Sequence, residues 1–338
     1  MGAGLKQVIK SAVRAGVATA GRHRWPTSRR SLVVLMYHRV LPADDPRYRL
    51  EQPGMVVTPG TFARHLAWIK RYFDPVQLGD WVTGNARTSG RRPACAVTFD
   101  DGWRDNHEHA FPLLREAGVP ATIFLVSDFI GTRRDFWPGR VQRLFAHGLA
   151  GIAEDDTRWL LGFARDGLAD NEDASIGERS NTVIEGLKRL PDGEIEERLE
   201  RMEAAAGLGE AEASPVMLGW EQVRAMLDSG LVDVGSHTRH HRRLDMGLDA
   251  TELSEEIVGS GRTIEEHTGR RPRIFCYPNG DRNAAAERLV RGSYEGACLV
   301  RRGWNALDTD PFELRRIGMH EDVARTRSAF LSRANGVF

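Results

Sequence analysis

Seven short runs rich in apolar and β-branched residues recur along the chain: Leu32–Tyr37, Ala94–Phe99, Ala121–Val126, Leu231–Gly235, Arg273–Tyr277, Gly296–Val300 and Leu314–Met319. Runs of this length and character predict buried strands. Segments with helical spacing separate them. Thr61–Phe73 places Phe62, Leu66, Ile69 and Phe73 on one face, and Arg104–Ala117 stops at Gly118, a C-cap signal. Trp220–Leu227 and Ala250–His267 follow as helices. Strands that alternate with helices imply βαβ units around a parallel sheet. Seven strands in about 300 residues predict one α/β domain built as a barrel or near-barrel, spanning 31–325. Residues 140–215 hold no strand-like run and predict a helical insertion on a strand-to-helix connection. Residues 1–30 and 326–338 are left as an N-terminal arm and a C-terminal tail.

Charge modifies this picture locally. The chain carries 47 basic and 47 acidic residues, so it lacks the overall basic excess of a nucleic-acid-directed protein, and no nucleic-acid partner is expected. The balance is uneven. Residues 1–30 hold seven Lys/Arg and no acid, whereas 151–215 hold 17 acids against seven bases. Leu5 to Ala20 carries an apolar stripe beside basic residues, which reads either as a peripheral contact with an anionic membrane face or as a helix packed on the domain. Arg14 interrupts any signal-peptide core, and the run after Ser28-Arg29-Arg30 reads as a strand. Cys95, Cys276 and Cys298 are scattered, as suits reduced, buried thiols. The expected location is therefore cytoplasmic, with the arm as a route to the inner membrane face. The oligomeric state is not legible.

In parallel α/β barrels the chemistry gathers at the C-terminal strand ends. Polar residues just after the apolar runs are His38, Asp100-Asp101, His237 and His241, Asn279 and Asp281, and His320. Adjacent carboxylates leaving a buried strand repel unless a cation or shared proton relieves them, and Gly102 permits a tight turn behind them. One can bind a metal while the other acts as a base; the plainer reading is a solvated Asp-Gly turn. Gly235-Ser236-His237-Thr238-Arg239-His240-His241 puts three histidines into five residues, and two of them four apart can meet one metal. Two His and one Asp leave open positions, as catalytic metal sites require.

Thr98-Phe99-Asp100-Asp101-Gly102 and His237-Thr238-x-x-His241 resemble the first two motifs of the NodB-like polysaccharide deacetylases, carbohydrate esterase family four. Phe275-Cys276-Tyr277-Pro278-Asn279-Gly280 resembles the third. Leu35–Val40, Trp220–Val223 and Asp310–Ile317 extend the resemblance over roughly 31–320. It implies a distorted (β/α) barrel, the NodB homology fold, and metal-dependent hydrolysis of an N-acetyl group on an amino sugar. That sugar would belong to a polysaccharide, an oligosaccharide or a lipid-linked precursor. By the same resemblance Asp101, His237 and His241 bind a divalent metal, zinc first, with cobalt or nickel as alternatives. Asp100 is the general base. Tyr277, Asn279 and Trp103 belong to the substrate and oxyanion side. The general acid is His38 or His320, with His38 favoured.

The chain departs from that pattern in places. Many relatives carry an arginine two residues before the third-motif proline to orient the base, and Cys276 stands there. Asn279 replaces an aromatic, and Trp103 replaces a tyrosine. Trp103 reads as a sugar-stacking surface or as packed core; Phe136-Trp137-Pro138-Gly139 is a second aromatic candidate. Hydrolysis of a non-sugar amide or imide and a decayed carbohydrate-binding site are the competing functions.

Overall fold

The computed structural model describes residues 12–52, 54–164, 175–208, 216–245 and 247–337. Seven parallel strands form its centre: β1 Leu32–Tyr37, β2 Ala94–Phe99, β3 Ala121–Leu125, β4 Val232–Ser236, β5 Ile274–Cys276, β6 Gly296–Cys298 and β7 Ile317–Gly318. They pair in sequence order from β1 to β6, and β7 returns to β1 through Leu35–Ile317 and Met36–Gly318. Just before β7, Leu314 bridges to Cys298 of β6. The segment Leu314–Gly318 therefore touches both ends of the sheet and draws it into a distorted barrel with helices outside. All seven sequence runs are found, each within a few residues of its expected bounds. The last is shorter than expected because Leu314–Arg316 is spent on closure.

Strand parity separates two apolar layers. Leu32, Val34, Ala94, Ala96, Phe124, Ile274, Cys276, Cys298 and Leu314 pack together inside the barrel. Their neighbours Val33, Leu35, Tyr37, Cys95, Val97, Phe99, Ile123, Leu125 and Val234 pack outward against the helices. Each such fully buried side chain contributes roughly 1.5–3 kcal/mol. Gly235 belongs to the crowded inner face. A Cβ there would lie 2.4 Å from the Phe124 ring and 2.7 Å from the Ile274 carbonyl, so the strand passes only as glycine.

The outer helices follow their signals. Helix Pro59–Tyr72 starts from Thr58, whose hydroxyl accepts the Thr61 amide, and buries Phe62, Leu66 and Ile69. Ala250–Thr268 is helical throughout, with one π turn at Glu255–Gly259. The insertion is four helices, Trp137–Ala146, Glu154–Leu161, Ile176–Leu187 and Asp192–Ala206, around a core of their own that includes Leu144, Leu160, Ile184 and Leu199.

Both termini depart from an arm and a tail. Residues 12–20 are helical, Ala18 is buried, and His23 sits against Tyr72 and Phe73 while bonding Asn335. The first part of the expected amphipathic segment, residues 1–11, lies outside the described residues. At the C-terminal end, helix Arg327–Ala334 buries Phe330 against His65 and Trp68. No helix among the described residues is long and apolar enough to cross a membrane.

Candidate active site

Parity carries the inner row of β2 from Ala94, Ala96 and Thr98 to Asp100, whose side chain is buried above the barrel core. Asp101 then takes a left-handed conformation, φ 78°, and Gly102 follows at φ 85°. This turn aims the second carboxylate sideways while the first stays in the barrel. Left-handed backbone at a non-glycine residue costs free energy and persists where the surroundings hold it. Thr238 and His241, at φ 66° and 61°, repeat the device after β4.

Three side chains converge. His237 Nε2 lies 3.5 Å and His241 Nε2 3.6 Å from Asp101 Oδ1. The two imidazoles are 4.9 Å apart between ring centres and nearly perpendicular. His237 Nδ1 donates to the Cys276 carbonyl at 2.8 Å, which leaves its Nε2 lone pair facing the carboxylate. Burial, reinforced by the neighbouring His241, lowers the His237 pKa to about 3, so the ring is a neutral donor at ordinary pH. Burial, outweighing the opposing charge of His38, pushes the Asp101 pKa up to about 6. Its Oδ2 accepts the Trp103 indole N–H at 2.8 Å, which fixes the rotamer. A buried carboxylate short of charge, facing two neutral imidazole nitrogens, fits a divalent cation.

Asp100 is held differently. Arg316, fully buried, forks onto it with Nη1–Oδ1 at 2.5 Å and Nη2–Oδ2 at 2.8 Å. Burial alone would raise this carboxyl; the guanidinium charge and hydrogen bonds prevail and hold it well below the usual carboxylate range. The arginine is itself held by the Leu299 carbonyl at 3.1 Å and lies 3.0 Å from Cys276 Sγ. A guanidinium thus reaches Asp100 from the closing segment just before β7, beside the small Cys276. Asp100, His237 and Cys276 also lie close enough to suggest a second metal set. The guanidinium on both Asp100 and Cys276 disfavours a cation there, and burial pushes the thiol pKa up.

The remaining sequence candidates divide. His38 lines the catalytic cavity, with Nε2 3.8 Å from Asp100 Oδ2. His320 is not among the lining residues; its Nδ1 is 3.1 Å from Asp322. Asn279, at φ 54° in the turn after β5, lines the cavity together with Asp281. Tyr277 does not. It is 1% exposed and packs on Phe275, because the residue after β5 turns toward the outer helices. Trp103 is no open stacking surface either: Arg39 lies over its ring at 4.2 Å, Phe136 packs beside it, and only 5% is exposed. It still borders the cavity, and its indole N–H is spent on Asp101. Phe136 meets the His241 ring edge-on at 5.1 Å, and Trp137 lines the cavity.

Two further groups brace the site. Glu256 accepts the backbone amides of Arg239 and His240, each at 3.0 Å, and the His240 ring, holding the loop between the two histidines. Asp105 is buried under Arg39 and accepts the Val40 amide, fixing the chain just after His38. Arg316 lies in the Asp310–Ile317 stretch of the family resemblance, where nothing local gives it a role. Its signal was parity: 316 shares the inward face of Leu314.

The family model "Polysaccharide deacetylase" matches residues 87–154 and 187–292, about half of the chain. A protein of Bacillus subtilis (strain 168) named "Putative polysaccharide deacetylase YxkH" is 26% identical over 123 residues, 35% of this chain. That match spans 40% of the Bacillus subtilis protein's length. Among solved structures, a polysaccharide deacetylase from Bacillus cereus has a TM-score of 0.56 at 17% identity, covering 90% of this chain and 69% of that one. IcaB from Ammonifex degensii has a TM-score of 0.54 at 19% identity, covering 90% and 97%. Streptococcus pyogenes deacetylase PplD, solved with acetate, has a TM-score of 0.55 at 14% identity, covering 87% and 95%. These structural likenesses concern the fold.

Proposed function

The chain belongs to the polysaccharide deacetylase family, and from that premise we propose that it hydrolyses the acetamide of an N-acetylated amino sugar with a divalent metal. The observation that carries this reading is the division of labour between adjacent carboxylates. Asp101 faces two neutral imidazoles, while Asp100, one residue away, faces a guanidinium.

Asp101, His237 and His241 would hold the ion, with zinc first and cobalt or nickel as alternatives. Such an ion supplies Lewis-acid polarisation of the acetamide carbonyl and a lowered pKa for an attacking water. Asp100 takes that water's proton; Arg316 keeps it charged and oriented by donating to both of its oxygens. His38 stands within 4 Å of Asp100 on the cavity wall and returns a proton to the departing amine. The turn at Asn279 offers backbone polarity to the developing oxyanion. Trp103 locks the carboxylate that must meet the ion, and the Cys276 carbonyl locks the His237 tautomer.

The test is acetate release by the purified chain from N-acetylglucosamine oligomers, with chelator and with zinc or cobalt restored. Release should stop with chelator and return with metal. Asp100→Asn should keep the metal and lose activity by about 10²–10⁴-fold, the usual share of a general base; His237→Ala should lose the metal. Full activity in Asp100→Asn would overturn the assigned base. Release insensitive to chelator would overturn the metal role.

A further inference from the structure

We propose that Arg39 is a positioning residue for the metal centre, acting on Asp101 through the indole of Trp103; this rests on the metal-dependent reading above. Asp100 and Asp101 leave β2 side by side, and each is served by an arginine along a different route. Arg316 donates directly to both oxygens of Asp100. Asp101 instead takes the Trp103 indole N–H on Oδ2 at 2.8 Å, and the Arg39 guanidinium lies over that ring with Cζ 4.2 Å from its centre. Arg39 and Trp103 are both buried, so salt and water screen this contact little.

A cation on the face of an aromatic ring is attracted by the π electrons and draws on them. The withdrawal reaches the indole nitrogen, polarises its N–H and makes it a stronger donor, as linked polar groups do to one another in a low-dielectric interior. The advantage lies in what this route avoids. A guanidinium set directly on Asp101 would repel a divalent ion held by the other oxygen and compete for the carboxylate. One ring further off, the same charge steadies Oδ2 and leaves Oδ1 to face His237 and His241 at 3.5 and 3.6 Å. Arg39 is itself fixed from behind. Its Nε donates to Asp105 Oδ2 at 2.9 Å, while Asp105 Oδ1 takes the Val40 amide, and Nη1 donates to Glu51. Its Nη2, 2.9 Å from Asp105 Oδ2, is buried and makes no aligned hydrogen bond. An electron-rich ring face is the compensation open to such a group. Phe136 packs beside the indole with ring centres 5.1 Å apart and helps to hold its plane.

The experiment measures zinc affinity of the full chain by competition with a chromophoric chelator. Arg39→Met is combined with Asp105→Asn, so that no buried carboxylate is stranded at Asp105 and the Val40 amide keeps an acceptor. This paired change should weaken zinc binding about three- to tenfold, and Arg39→Lys, which keeps the charge, by less. With Trp103→Phe already in place, the same paired change should add less than about twofold, since the route to Asp101 is then cut. A second readout needs no metal. In chelator-treated protein the Trp103 indole proton resonance, identified among the eight tryptophans by its loss in Trp103→Phe, should move upfield in the paired variant. Unchanged zinc affinity, an unmoved resonance, or equal weakening with and without Trp103 would overturn the role of Arg39 and leave the metal reading intact. An unmodified chain that binds no zinc would overturn the metal reading, and this proposal with it.

Discussion

Replacing Arg316 tests the centre of the argument. Arg316→Ala strands a buried carboxylate, since both Asp100 oxygens rely on that guanidinium at 2.5 and 2.8 Å. Removing one partner of a buried pair costs about 3–5 kcal/mol. At roughly 2–4 °C per kcal/mol for a domain of this size, the melting temperature should fall by about 6–20 °C. Acetate release should fall by about 10²-fold or more, because a base that is neither charged nor aimed loses most of its contribution. Arg316→Lys keeps the charge and loses the fork, so it should lie between. The decisive variant moves the arginine. Cys276 Sγ is 3.0 Å from Arg316 Nη2 and 3.9 Å from Asp100 Oδ2, so Cys276→Arg combined with Arg316→Ala brings a guanidinium to the same carboxylate from β5. Acetate release by the double variant should exceed that of Arg316→Ala by about tenfold, which a purely structural arginine would not produce. Metal content, read by mass spectrometry, should be equal in all of them. Arg316→Ala with near-normal release, or with its metal lost and its base intact, would refute the assignment.

Other outcomes follow from the same geometry. His38→Gln should lower turnover with metal retained, whereas His320→Gln, outside the cavity, should leave turnover within about twofold; the reverse pattern in steady-state kinetics would exchange the two roles. Trp103→Phe removes the hydrogen bond to Asp101 and should weaken metal affinity by about 10–100-fold in a chelator competition. His65 is fully buried against Tyr37 and the Ala324 carbonyl, and burial lowers its pKa to about 4 from an ordinary 6.5. The unfolded chain therefore binds more protons between those values. The stability due to neutral His65 is complete above about pH 6.5 and falls by at most about 1.4 kcal/mol per unit on the way down to about pH 4. Urea unfolding at pH 5 and 7 should show this slope reduced in His65→Gln.

The strands were legible because parallel strands buried on both faces are written as continuous apolar runs. The metal-binding candidates were legible because they follow those runs immediately. Arg316 was not. Arg315 and Arg316 are adjacent, and which of them enters the barrel depends on the register by which Leu314 and Ile317 close the ring. Asp100 and Arg316 meet across a separation of 216 residues, and parity alone, which hints that 316 points inward, does not name its partner. Trp103 likewise needed Arg39 in view before its ring could be assigned to support. The insertion's helical nature was plain from its spacing and acids. Its fastening, Gln142 to the Leu50 carbonyl and the loop residue Arg243 to the carbonyls of Lys188 and Leu190, depends on groups that carry no sequence mark.

The closing segment also bears on how the molecule comes into being. A chain emerging from its N-terminus delivers the two carboxylates early and the guanidinium that stabilises Asp100 only with β7. Contacts of such long sequence separation form late and slowly. Until they do, the inner face of β2 ends in an acid with no counter-charge, and a partly assembled barrel has reason to stay open or to keep Asp100 protonated. Completion of the ring and the pairing of Asp100 with its counter-charge are therefore brought about by the same segment.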